Sequence, residues 1–184
     1  MKDHSPILKR NLTGCVAAVL LILLDQFTKM LAVAHLKDQP SNVLIDGVFE
    51  LRYLENRGSA FGMMQNKLII LIPVTVVVTL FILYLFFKKL PATRHFFWLN
   101  AVAVLFFAGA IGNFIDRVRQ GYVVDFFYFS LINFPIFNVA DIYVTAAAFL
   151  LIFLCLFYYK EEDFEQIFPS DSSRQHSSEK KDND

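Results

Sequence analysis

The sequence predicts an all-α integral membrane protein with four transmembrane helices and one or two short strands between the first two. Three observations carry this expectation. Of 184 residues, 56% are hydrophobic and 21 are Phe, more apolar surface than a soluble domain of this length needs. Four stretches each approach the roughly 20 apolar residues that cross a bilayer as a helix. Basic residues gather at particular ends of those stretches, as they do in membrane proteins with a fixed orientation. The length fits a single domain over 1–160.

The spans are expected at about 12–36, 68–87, 96–115 and 136–159. In the connection at 37–67, residues 43–54 mix β-branched and aromatic types around an Asp46-Gly47 turn signal, which reads as strand. Span two carries Pro73 in its first turns, where a proline costs least. A second long connection, 116–135, carries Asp125. Span four ends in Phe157-Tyr158-Tyr159, aromatics suited to the interface, followed by Lys160. The remaining 161–184, rich in Glu, Asp and Ser, reads as a disordered tail.

An even number of spans puts both termini on one side. Lys2, Lys9 and Arg10 before span one, and Lys88, Lys89 and Arg94 between spans two and three, favour the cytoplasm for those ends. Lys37, Arg52, Arg57, Arg117 and Arg119 weigh mildly the other way. Formal net charge is zero, so nothing points to nucleic acid. The His residues are scattered and no H-x-x-x-H or C-x-x-C spacing occurs, so no metal and no cofactor is expected. Cys15 and Cys155 sit in apolar segments and imply no disulfide framework. Leu12-Thr13-Gly14-Cys15 has the form of a lipoprotein cleavage site, but the residues before it are charged and too few. Ala32-Val33-Ala34 resembles a signal-peptide cleavage site, yet Asp25 and Lys29 inside the preceding run argue for a retained span.

The polar residues inside this apolar chain are the candidate functional residues. Asp125 and Asp141 lie about sixteen residues apart among Phe, Val and Asn. A carboxylate at a membrane boundary costs several kcal/mol, of the order of 3, unless paired, wetted or protonated. Two held together cannot both ionise easily, and a pair sharing one proton is poised to activate water. Asp25 and Lys29 stand four apart on one helix face, either as an internal ion pair bracing the bundle, with Lys29 free to reach the headgroups, or as part of a site. Asn113, Asp116 and Arg117 form a polar cluster at the end of span three, beside Gly109 and Gly112, which read as helix packing. Asn56-Arg57-Gly58 is either a turn into span two or a place where the Asn56 amide meets substrate.

Two other functions use some of the same residues. Ser59 with Lys29 would make a serine–lysine dyad, although Asp25 is a ready partner for Lys29. Asp25, Asp125 and Asp141 would also serve a proton-coupled carrier, but the chain shows no half-to-half repeat.

Taken in order, Asp25-Gln-x-Thr-Lys29, Asn56-x-Gly-x-Ala-Phe61, Gly112-Asn-x-x-Asp-Arg117, Val124-Asp125-Phe126 and Phe137-Asn-x-Ala-Asp141 resemble the lipoprotein signal peptidases, the type II signal peptidases. The resemblance covers about 25–141. It implies an intramembrane aspartyl endopeptidase of the bacterial plasma membrane, with its site near the outer face; a monomer is expected. Such an enzyme cuts diacylglyceryl-modified prolipoproteins just before the lipidated Cys, works among membrane lipid, and is inhibited by globomycin. The catalytic pair maps onto Asp125 and Asp141. Supporting roles map onto Asp25, Asn56, Asn113, Arg117 and Asn138, with Lys29, Gly58 and Asp116 lying in the same blocks. A small strand-rich cradle on the outer surface is implied between the first two spans. Ser59, Ala108 and Ile142 depart from Ala, Gly and Ser common in the family, and none touches the acid pair.

Overall fold

The computed structural model describes residues 5–58 and 68–169, so Ser59, Ala60 and Phe61 lie outside the described residues. Helix α1 runs Ser5–Leu36, strands β1 and β2 Asn42–Ile45 and Phe49–Asn56, and helix α2 Leu68–Tyr84, continued by a π-helical turn Leu85–Lys89. Helix α3 (Phe97–Gln120), strand β3 (Val123–Tyr128), a 3-10 turn (Ser130–Ile132), helix α4 (Val139–Phe157) and helix α5 (Glu161–Ile167) follow. Among the described residues, four helices are long and apolar enough to cross a membrane, and they fall where the sequence places the spans.

Helix α3 is the hub, packing against each of the other three spans. Gly109 lets α4 pack closely against α3: a Cβ there would come within 2.6 Å of the Ala140 carbonyl oxygen and of Val144 Cγ2. The helix ends depart from the apolar stretches for local reasons. Helix α1 starts well before residue 12 because Arg10 has partners inside the bundle. Its guanidinium donates to the Leu90 carbonyl and to Asn100 Oδ1, and lies 4.7 Å over the Phe86 ring. Helix α3 continues through Asp116 and Arg117 to Gln120, and Gly121 then ends it at φ 80°, a left-handed conformation suited to glycine. Helix α4 starts at Val139 because Asn138 caps it.

The strands form one antiparallel sheet in the order β1-β2-β3, with Leu54 opposite Asp125 and Asn56 opposite Val123. The expected strands at 43–54 are present as β1 and β2. The cradle, however, is not confined to the connection between the first two spans, because its third strand comes from between α3 and α4. Val123, Val124, Asp125 and Phe126 are all buried, so the alternation that marks a half-exposed strand is missing from this segment. The sheet therefore joins the two long connections at one end of the bundle.

The opposite end corrects the reading of 161–184 as wholly disordered. Residues Glu161–Ile167 form α5, and Ile167, 4% exposed, packs into the cluster that includes Leu90, Phe96, Leu154 and Tyr159. Asp163 Oδ1 lies 2.9 Å from His95 Nε2, and Asp163 Oδ2 accepts from the Lys160 backbone N–H at 3.0 Å. One apolar side chain at the right turn outweighs an acidic composition.

Candidate active site

Asp125 sits on β3 at 1% exposure, and each of its carboxylate oxygens has an amide donor. Asn138 Nδ2 donates to Oδ1 at 2.6 Å and Asn56 Nδ2 to Oδ2 at 2.9 Å. The pairing of β2 with β3 brings Asn56 here, across 69 residues of chain. Asp141 occupies the first turn of α4, where its carboxylate completes a reciprocal cap: the Asn138 N–H donates to Asp141 Oδ2, and the Asp141 N–H donates to Asn138 Oδ1, both at 3.1 Å. Asn113 Nδ2 donates to Asp141 Oδ1 at 2.8 Å. Asn138 thus touches both acids, Asp125 through its side-chain amide and Asp141 through its backbone and its carbonyl oxygen. It is fully buried.

Beneath this pair lies a second polar layer. Asp25, Lys29 and Asp116 are 0%, 3% and 5% exposed. Lys29 Nζ lies 2.9 Å from Asp25 Oδ2 and 3.1 Å from Asp116 Oδ2, and donates to Asn113 Oδ1 at 2.9 Å. Each acid also holds a backbone group of the layer above. Asp25 Oδ1 accepts the Ala140 N–H of α4 at 2.9 Å, and Asp116 Oδ2 accepts the Val124 N–H of β3 at 3.1 Å. The ion pair of span one, together with Asp116 of α3, therefore braces the elements that carry Asp141 and Asp125. Gly112, read from sequence as packing, has a further role, since a Cβ there would stand 2.5 Å from Asp25 Oδ2.

Arg117 reaches the rim. It donates to the Gly58 carbonyl at 3.2 Å and to the Asn113 carbonyl at 3.4 Å, while the Gly58 N–H donates to Asn56 Oδ1 at 2.9 Å. Arg117 and Gly58 thereby hold the amide that faces Asp125. All ten residues singled out in the sequence join this one network. Gln26, which sequence reasoning passed over, belongs to it as well. Its Nε2 donates to Asp25 Oδ2, the Gly112 carbonyl and Asp116 Oδ1 at 3.2, 3.2 and 3.1 Å. Its place between Asp25 and Lys29 in the first motif was the available signal.

The pair opens on a cavity of about 780 Å³. Asn56, Asn113, Arg117, Asp125 and Asp141 line its polar side, and Phe129, Phe134, Ile136, Phe137 and Phe149 belong to its apolar wall. Burial, then the neighbouring charge of Asp141, pushes the Asp125 carboxyl from 3.8 up to about 7, although Asn56, Asn138 and Lys29 pull the other way. The ammonium of Lys29, set on three acceptors, has no lone pair for a serine–lysine mechanism, and Ser59 falls outside the described residues.

Ionisable groups this deeply buried between apolar helices, and open to a cavity, mark a multi-pass membrane protein built around a functional site. Residues 17–157 match the family described as signal peptidase (SPase) II. The chain belongs to that family of membrane peptidases. It is 45% identical over 143 residues to a lipoprotein signal peptidase of Caldanaerobacter subterraneus subsp. tengcongensis, covering 77% of this chain and 94% of the relative. It is 43% identical over 148 residues to one of Streptococcus thermophilus, covering 80% and 93% respectively. A bacterial membrane enzyme solved by the in meso method at 2.3 Å resolution shares the fold, with a TM-score of 0.73 and 32% identity over 81% of this chain and 92% of that one.

Proposed function

We propose that the protein is an aspartic endopeptidase that removes the signal peptide from diacylglyceryl-modified prolipoproteins, cutting just before the lipidated Cys. The observation that carries this reading is the buried pair Asp125 and Asp141, bridged by Asn138 at the wall of the cavity. Two carboxyls held together in one buried site share a proton. Asp125, buried and pushed up to about 7, is the one that holds it up to about neutral pH. Asp141, with its Asn113 and Asn138 donors at the positive end of the α4 dipole, is the ionised partner.

The chemistry then needs no further group. Asp141 takes a proton from a water lying between the acids, and the oxygen attacks the carbonyl carbon before the lipidated Cys. Asp125 gives its proton to the carbonyl oxygen as the tetrahedral intermediate forms. Collapse breaks the C–N bond, a proton passes from Asp141 to the leaving amine, and the intermediate hydroxyl returns a proton to Asp125. Acid–base help of this kind is worth about 10² to 10⁴-fold. Arg117 and Asn56 at the cavity wall supply polar contacts that hold the scissile segment in place.

The apolar wall suits small residues before the Cys, and bilayer lipid takes the diacylglyceryl chains. The basic clusters around Lys9, Arg10, Lys88, Lys89 and Arg94 favour cytoplasmic termini, which puts the acid pair near the outer face of a bacterial plasma membrane. A monomer suffices, since all the polar groups of this mechanism come from one chain, and globomycin-type inhibitors are expected to occupy the cavity. The test is cleavage of a diacylglyceryl-modified prolipoprotein in detergent by wild type, Asp125→Asn and Asp141→Asn, with unmodified precursor as control. Cutting before the lipidated Cys by wild type alone supports the reading. Turnover by a folded Asn variant near the wild-type rate overturns the two-aspartate mechanism.

A further inference from the structure

We propose that Lys29 is a positioning residue that decides which of the two acids holds the shared proton, by fixing the orientation of the Asn113 amide. This rests on the peptidase reading above. The oxygen and NH₂ ends of a carboxamide are nearly the same size and differ in that one accepts and the other donates. At Asn113 the NH₂ end faces Asp141 Oδ1 at 2.8 Å, while the oxygen receives Lys29 Nζ at 2.9 Å and Asn138 Nδ2 at 3.1 Å.

An ammonium has three donors and no acceptor, so it admits one orientation of the amide beside it. Were Asn113 turned over, its NH₂ would meet the ammonium and its oxygen would meet the Asp141 carboxylate. That arrangement is tolerable only if Asp141 carries the proton and donates it to Asn113. Asn138 Nδ2, whose other N–H goes to Asp125 Oδ1, favours the same orientation through a neutral and longer bond, so the charged Lys29 donor is the stronger of the two. Lys29 is itself held on Asp25 and Asp116. The relay therefore runs from α1 through α3 to the first turn of α4, and leaves the proton on Asp125.

Removing Lys29 alone would strand two buried carboxylates, so the test variant neutralises all three groups: Asp25→Asn, Lys29→Met and Asp116→Asn together. kcat and KM for a diacylglyceryl lipopeptide are measured in detergent from pH 5.5 to 9, with thermal unfolding as the control for folding. The expected result is a folded protein with KM within about threefold of wild type, kcat lower by at least about 100-fold at pH 7, and an altered pH–kcat profile. A folded triple variant with wild-type kcat and profile overturns the proposal and leaves Lys29 a structural brace. If the triple variant does not fold, infrared spectra of protein with ¹³C-labelled Asp decide the matter. A protonated-carboxyl band near pH 6 that disappears in Asp125→Asn and persists in Asp141→Asn is expected; the reverse overturns the assignment. Failure of wild type to cleave any lipopeptide would sink the peptidase reading instead, while the infrared result would still report where the proton resides.

Discussion

Replacing Asp125 by Asn should change stability with opposite sign at the two ends of the pH range. The Asp125 carboxyl titrates near 3.8 in the unfolded chain and at about 7 in the folded one. Between those values the folded protein binds a proton that the unfolded chain has lost, so wild-type stability falls as pH rises from about 4 to about 7. At about 1.4 kcal/mol for each tenfold, keeping this group ionised in the fold costs of the order of 4 kcal/mol at pH 9. The neutral amide of the Asp125→Asn variant would escape that cost. It would, however, turn its own NH₂ toward one of the two donors, Asn56 or Asn138, at a penalty of about 1–3 kcal/mol at any pH. The variant is therefore expected to be less stable than wild type at pH 4, by about 1–3 kcal/mol, and more stable by a similar amount at pH 9. Denaturant unfolding in a non-ionic detergent at both pH values measures this directly. A stability difference that is the same at pH 4 and pH 9, within about 0.5 kcal/mol, would refute the assignment of a raised Asp125 carboxyl.

Three further outcomes follow from the same geometry. Gly112→Ala places a Cβ 2.5 Å from Asp25 Oδ2, forcing Asp25 off the Ala140 N–H; an unfolding free energy lower by about 1–3 kcal/mol and a matching loss of cleavage are expected by chemical denaturation and lipopeptide assay. Asn138→Ala removes the α4 cap and the link between the acids, so stability should fall by about 1–2 kcal/mol while kcat falls at least about 100-fold, a disproportion that separates positioning from folding. Truncation after Lys160 deletes α5 with its buried Ile167 and should lower the unfolding temperature by a few degrees, for about 1.5–3 kcal/mol, yet leave cleavage within about threefold of the full chain. A truncated protein that folds but does not cut would show that α5 acts on the distant site.

The sequence made the spans legible because a bilayer imposes length and apolarity locally, and it made the candidate polar network legible because polar residues are conspicuous against that background. What it hid was non-local. β3 exists because Val123–Tyr128 pairs with β2, whose partners lie some seventy residues earlier, and its burial on both faces erased the alternating pattern. Asp116 could be assigned to a polar cluster, but not to the backbone of Val124, since that contact depends on how the chain turns at Gly121. Likewise α5 was masked by four acids, while the fact that decides its fate, an apolar pocket for Ile167, is built by residues from the α2–α3 connection and α4. The two readings of Asp25 and Lys29 stayed open in sequence because the answer is held in Ala140 and Asn113, on other helices.

The two acids belong to different kinds of scaffold, one carried by a strand and the other by a helix, and Asn138 is where the two meet. On the two-aspartate mechanism proposed above, catalytic competence is a property of how the sheet is seated on the bundle, and not of either carboxylate by itself. The same mechanism predicts that a compound wedging the sheet away from the end of α4 switches the enzyme off while leaving both acids chemically intact, a route to inhibition that does not depend on mimicking the substrate.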